Sequence, residues 1–219
     1  MIVVIQCQGR KQPNAGRLRT VDGRPVCFVA QPALAPFDTS YVYARPDDVS
    51  DDGVSWRKKL LEYNADARNP YGLYPAYRLY ADNLYRRLAD HCGLQNLYIL
   101  SAGWGLIRAD FLTPYYDITF SATKPEQKYK RRRPSDDYSD FAMLPPHAIG
   151  KLVFFGSSAY VGAFCHLTKN SLCEKIVFYK TGEAPEARGC VLRKFENAKR
   201  DTNWQYDCAS AFLDANLRI

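Results

Sequence analysis

Asp117 is the carboxylate whose setting most invites chemistry. It follows Pro114-Tyr115-Tyr116 and precedes the alternating Ile118-Thr119-Phe120-Ser121. A carboxylate at a strand mouth among aromatic rings is partly desolvated and oriented by its neighbours, which suits a group that must face a developing positive charge. The same position also suits an Asx-turn or a cap. Asp117 is therefore the candidate catalytic residue, with the turn as its structural alternative. Asp110, in a more exposed context, is expected to be structural.

Upstream, residues 97–101 form an apolar run that stops at Ser101, after which Gly103 and Gly105 bracket Trp104. Two further runs end in small residues, at 6–9 and at 156–158. A backbone that approaches a ligand closely, or offers N–H groups to an anion, carries no Cβ there. Gly9, Gly105 and Gly156 are thus expected on one sheet edge, lining one cleft, although each glycine alone is satisfied by a tight turn. Trp104, Tyr115, Tyr116 and Tyr160 have flat faces that suit stacking on a base or a sugar. With sixteen tyrosines in the chain, core packing accounts for most of them. Trp104 is the ring expected to be free to stack, because flanking glycines offer it little local packing. Cys7, after the first run, is either a nucleophile or a small buried residue. His91, His147 and His166 pair with no Ser or Cys as a hydrolytic triad would. No glycine pattern matches a dinucleotide-binding or Walker loop.

The chain has 219 residues with a formal charge of +7. Residues 124–133, KPEQKYKRRR, hold six of the thirty basic residues, and Tyr129 sits among them. Such a run is either a solvated loop or an arm whose Lys and Arg gain affinity by displacing counterions from a polyanion. Its place directly after the 97–121 stretch favours the arm, with Lys128, Lys130, Arg131, Arg132 and Arg133 on phosphates. The seven cysteines form no CxxC pair, which suits reduced thiols in the cytoplasm better than a disulfide frame or a zinc site. No stretch has the apolar length of a membrane span, and the N-terminus lacks the features of a signal peptide. No metal or organic cofactor is expected.

To position these residues the chain needs a scaffold. Strands are expected at 3–5, 26–29, 97–101, 151–155 and 175–179. Helices are expected at 54–63 with Ser55 as cap, at 75–88 as one amphipathic element, at 158–168 and at 202–213. Strands alternating with helices imply a single α/β domain over 1–219, with a largely parallel or mixed central sheet flanked by helices and a helical segment near 54–92. Ligands in such sheets sit at the carboxyl ends of the strands.

The segments IVVIQCQGRK, YILSAGWGLIRADFLTPYYDITFS, VFFGSSAYVGAF and TNWQYDCASAF, in that order, resemble the YaaA-like group, which joins the peroxide-stress protein YaaA to a related domain of unknown function. The resemblance spans most of the chain, is best at LSAGWGL, and departs at residues 12–75. It implies a DNA-directed protein. A further likeness, to anti-phage glycosylases that excise glucosylated hydroxymethylcytosine, implies cleavage of an N-glycosidic bond. Base release passes through an oxocarbenium-like state that Asp117 would stabilise, with the target base flipped into a pocket. Read through the resemblance, Cys7, Gly9, Ser101, Trp104, Gly105, Tyr116, Gly156, Tyr160 and Asn203 line the substrate site, and Lys11 joins the nucleic-acid contacts. The alternatives are a non-catalytic DNA-binding or DNA-protecting protein and a hydrolase of nucleosides or nucleotide sugars.

Overall fold

The computed structural model describes residues 1–66, 68–133, 135–180, 182, 184–198, 202–217 and 219. Its first half runs β1 (Ile2–Gln6), β2 (Val26–Val29), β3 (Val42–Ala44), α1 (Trp56–Ala65), β4 (Tyr74–Pro75), α2 (Ala76–Leu79), α3 (Leu84–Cys92) and β5 (Leu97–Ser101). The second half runs β6 (Gly105–Arg108), β7 (Leu112–Thr113), β8 (Tyr116–Asp117), β9 (Phe141–Ala142), β10 (Lys151–Phe155), α4 (Ser158–Leu167), β11 (Glu174–Tyr179), β12 (Cys190–Lys194) and α5 (Trp204–Leu213).

Seven strands form the central sheet in the order β12-β11-β10-β1-β5-β6-β9. The run from β12 to β5 is parallel, β6 returns antiparallel along β5, and β9 lies parallel to β6. This is the α/β domain with a mixed sheet that strand–helix alternation implies. β1, β5 and β10 are almost wholly buried, as expected of strands covered on both faces. Two consecutive residues of β10 show how the layers arise, because neighbours on a strand point to opposite faces. Phe154 stacks on Phe164 of α4 at 4.4 Å, whereas Phe155 packs at 5.5 Å on Phe212 of α5. α4 therefore covers one face and α5, with α3 beside it, the other.

A small parallel sheet, β3-β2-β8, lies beside the β5–β6 turn, and Phe28 of β2 meets both Trp56 of α1 and Trp104 edge-on. Ser55 caps α1 as expected, its hydroxyl accepting the Lys58 N–H. The expected single helix over 75–88 is instead two, α2 and α3. Between them Tyr80 is extended and forms an antiparallel bridge with Lys11, while the Leu79 carbonyl accepts the Gln12 N–H at 2.8 Å. Pairing with the segment after β1 overrides the helical period there.

Candidate functional site

The carboxyl ends of β1, β5 and β10 share one edge, and around Cys7 that edge is crowded with hydroxyls. Cys7 Sγ lies 3.4 Å from Tyr160 Oη and accepts the Ala102 N–H at 3.4 Å. Tyr160 Oη is 3.5 Å from Thr119 Oγ1, and the Tyr80 and Tyr116 hydroxyls are 2.8 Å apart. Tyr85 donates to the Gln6 carbonyl at 2.8 Å, Tyr206 to the Cys7 carbonyl at 3.4 Å, and Gln6 Oε1 accepts the Ser157 N–H at 2.7 Å. Buried polar groups persist only when paired, and these pair with one another. Burial raises the phenols of Tyr80, Tyr85, Tyr116 and Tyr160 well above their ordinary value and pushes Tyr206 up to about 12, so all five stay neutral donors. Cys7 and Tyr160 are core members of this network, buried at its centre.

Two charged groups adjoin it. Lys11 is only 6% exposed. Its Nζ donates to the Gln8 and Gly9 carbonyls at 3.3 and 3.4 Å and stands 4.0 Å from the centre of the Tyr116 ring, with Tyr115 and Tyr80 near 6 Å. Among the described residues no carboxylate comes within ion-pairing distance of it. Burial pulls its pKa below the ordinary lysine value, while Cys7 and Asp117 act in the opposite sense. Lys11 was expected as a phosphate contact, but it is an interior amine, drawn in by the bridge to Tyr80.

Asp117, on β8, pairs with Lys130 at 2.7 Å, their side chains 26% and 20% exposed. The two meet because the strand continuing from β8 is laced to the basic run: the Thr119 N–H donates to Lys130 O and the Arg132 N–H to Thr119 O, each at 2.9 Å. Burial alone would lower the Lys130 ammonium, but hydrogen bonding to and charge from Asp117 leave it above its ordinary value.

The basic run divides by direction. Lys124, Lys128, Arg131 and Arg133 are exposed, Lys130 serves Asp117, and Arg132 turns inward. Arg132 grips Asp140 through two bonds of 2.9 and 2.7 Å, donates to the Ala102 carbonyl at 3.0 Å and lies 3.7 Å over the Tyr138 ring. It is 7% exposed and cannot be the phosphate contact expected of it. Arg57 acts in the same way, bidentate on Asp47 and donating to the Gly103 and Trp104 carbonyls at 3.2 Å. These two guanidinium groups and Ser101, whose Oγ accepts the Gly103 and Trp104 N–H groups, hold the 101–105 turn. The Trp104 ring is 0% exposed, edge-on to Phe28 at 5.0 Å and parallel to Phe141 at 6.5 Å. Its faces are occupied by protein, so it offers no platform for a base. Long-range partners replace the local packing its glycines deny it.

The three glycines do lie at one edge, as expected, but they do not line one cleft. Gly105 has φ +87°, and a Cβ there would meet the Phe141 carbonyl oxygen at 2.5 Å, so it permits β9 to close on β6. A Cβ on Gly156 would strike the Phe154 ring at 2.1 Å, whereas one on Gly9 would meet nothing. Asn203 is exposed with left-handed backbone before α5, and its carbonyl accepts the Tyr206 N–H at 3.0 Å. Tyr116, by contrast, is in the network, its ring beneath Lys11.

Several participants were invisible locally. Tyr80, Tyr85 and Tyr206 join only through tertiary contacts, and Tyr80 carries the sole local hint, in the break it makes in an otherwise helical period. Phe37, 95% exposed, belongs to a loop tied to the basic run where the Gln31 N–H donates to Tyr129 O at 2.9 Å and its side chain donates to Arg131 O at 3.3 Å. A cleft of about 750 Å³ lies between Arg132, Arg133 and residues 136–140 on one side and the Ala159, Gly162, Ala163 and His166 face of α4 on the other, with Phe120 at its wall. A second cavity of about 300 Å³ is lined by Lys11 with Gln8, Arg10, Gln12, Ala81 and Asp82. In comparison with known proteins, no family model, no curated protein and no solved structure matches the chain.

Proposed function

We propose that the protein is a DNA N-glycosylase that excises a modified base, of the kind glucosylated hydroxymethylcytosine represents, with Asp117 as the catalytic carboxylate. The observation that carries this reading is the Asp117–Lys130 pair, which joins a three-quarters buried carboxylate to a run with four exposed cations. Phosphates docking on Lys124, Lys128, Arg131 and Arg133 draw Lys130 towards the backbone. Asp117 is then left without its partner, beside the sugar on which positive charge builds. In this reading Phe37, exposed on its loop, enters the stack and fills the gap left by the flipped nucleotide. The resemblance to the YaaA-like group points the same way.

The rival is a non-catalytic DNA-binding protein, favoured by one observation: in the free protein Asp117 is already neutralised by Lys130. Base release measured on modified and unmodified duplexes, beside gel shifts on the same DNA, separates the two. A glycosylase frees base from at least one modified duplex. Retention of every duplex with no free base leaves the binder, and activity on free nucleosides alone leaves a small-molecule hydrolase.

A further inference from the structure

We propose that Lys11 is an amine nucleophile that forms an imine with the C1′ aldehyde left on deoxyribose by base release, so that the site also nicks the strand. The proposal rests on the glycosylase reading for the origin of its substrate.

Lys11 differs from the other buried charged side chains among the described residues. A buried ammonium ordinarily has a carboxylate against it, as Arg57 has Asp47 and Arg132 has Asp140. Lys11 has two long bonds to backbone carbonyls and the faces of three tyrosines instead. Its backbone is pinned by the bridge to Tyr80, and Ala81 N–H donates to Arg10 O at 3.1 Å, which fixes where the side chain enters the site. A desolvated lysine is the form in which this side chain attacks carbonyls, because the neutral amine carries the lone pair. Burial lowers its pKa, and Asp117 and Cys7 oppose that while Lys130 adds to it. The cavity of about 300 Å³ beside it has Arg10 exposed at its rim for a phosphate. Lys11 Nζ stands over the rings of Tyr115 and Tyr116, the two residues that precede Asp117, so the amine and the proposed carboxylate belong to one stretch of the site.

The step balances without any redox reagent. The Nζ lone pair bonds to C1′, and the aldehyde oxygen departs as water, leaving a protonated imine. Loss of the C2′ proton to water then lets the C3′–O bond break, its electron pair leaving on the 3′ phosphate oxygen. A water molecule hydrolyses the imine and restores the amine.

The test uses the full-length protein and a duplex carrying a preformed abasic site, with cyanoborohydride to reduce any imine to a stable secondary amine. The expected result is a covalent protein–DNA species that peptide mapping places on residue 11. It should be lost in both Lys11→Met and Lys11→Arg. No adduct on wild type, or one mapping to another lysine, overturns the proposal. Mapping on wild type decides even if the variants fold poorly. Because the abasic site is preformed, base release without an adduct sinks this inference alone, whereas an adduct at residue 11 without base release from any modified duplex sinks the glycosylase reading alone.

Discussion

Replacing Asp117 by Asn keeps the side chain's shape and removes its charge. Asp117 is 26% exposed and holds Lys130 at 2.7 Å, so two separable losses are expected. For catalysis, removing one preorganised electrostatic group costs about 3–4 kcal/mol of barrier, on the order of a hundredfold to a thousandfold in rate. For stability, a partly exposed ion pair contributes no more than about 1 kcal/mol, or roughly 2–4 °C in melting temperature for a chain of this size. The stability loss has a pH signature. Lys130 titrates above its unfolded value, so its contribution is fully present below about pH 10.4 and is lost as pH rises through its folded value. The melting gap between wild type and Asp117→Asn should therefore hold through neutral pH and close in strong alkali. Lys130→Met should reproduce the melting gap without the full rate loss. The assay is single-turnover release of base from modified duplex, normalised to folded protein. An Asn variant within a few-fold of wild type would refute the reasoning and return Asp117 to a structural pair.

Changing Lys124, Lys128, Arg131 and Arg133 together to Ala should weaken duplex binding irrespective of sequence and reduce the salt slope by about 3–4, at roughly 0.9 per phosphate contact; an unchanged slope makes the run a solvated loop. Arg132→Ala should instead destabilise the fold by at most about 3–5 kcal/mol, because it leaves Asp140 only its 4.0 Å contact with Arg57, and chemical denaturation will read that directly. Phe37→Ala should slow base release from paired duplex but not from a single strand, with folding stability changed by less than about 0.5 kcal/mol; equal effects on both substrates would remove it from the stack. Gly105→Ala should cost on the order of 1–3 kcal/mol for its left-handed backbone before any clash with Phe141, while Gly9→Ala is neutral, and thermal melts of the pair check both.

Periodicity and composition located the central strands and most of the helices. The apolar runs at 3–5, 97–101 and 151–155 became the buried parallel strands, and Ser55 and the 158–168 pattern located α1 and α4, because strand burial and helix capping depend on neighbours a few residues away. Edge strand β12 and the short β9 escaped detection, since a strand paired on one side or buried for two residues leaves little period to read. The basic run was legible as a cluster, yet which of its cations face water was not, for Arg132 is turned inward by an aspartate eight residues away and a carbonyl thirty residues away. Trp104 misled for the same reason: its glycines predicted an open ring, and Phe28, seventy-six residues earlier, covers it. Asp117 was visible as a carboxylate among aromatics, but its partner Lys130, the buried amine of Lys11 and the hydroxyls around Cys7 meet only when β1, β5, β8 and α4 converge. Local sequence encodes the period of each element, whereas the surroundings of a side chain are set by segments far away along the chain, and only the closed fold brings those together.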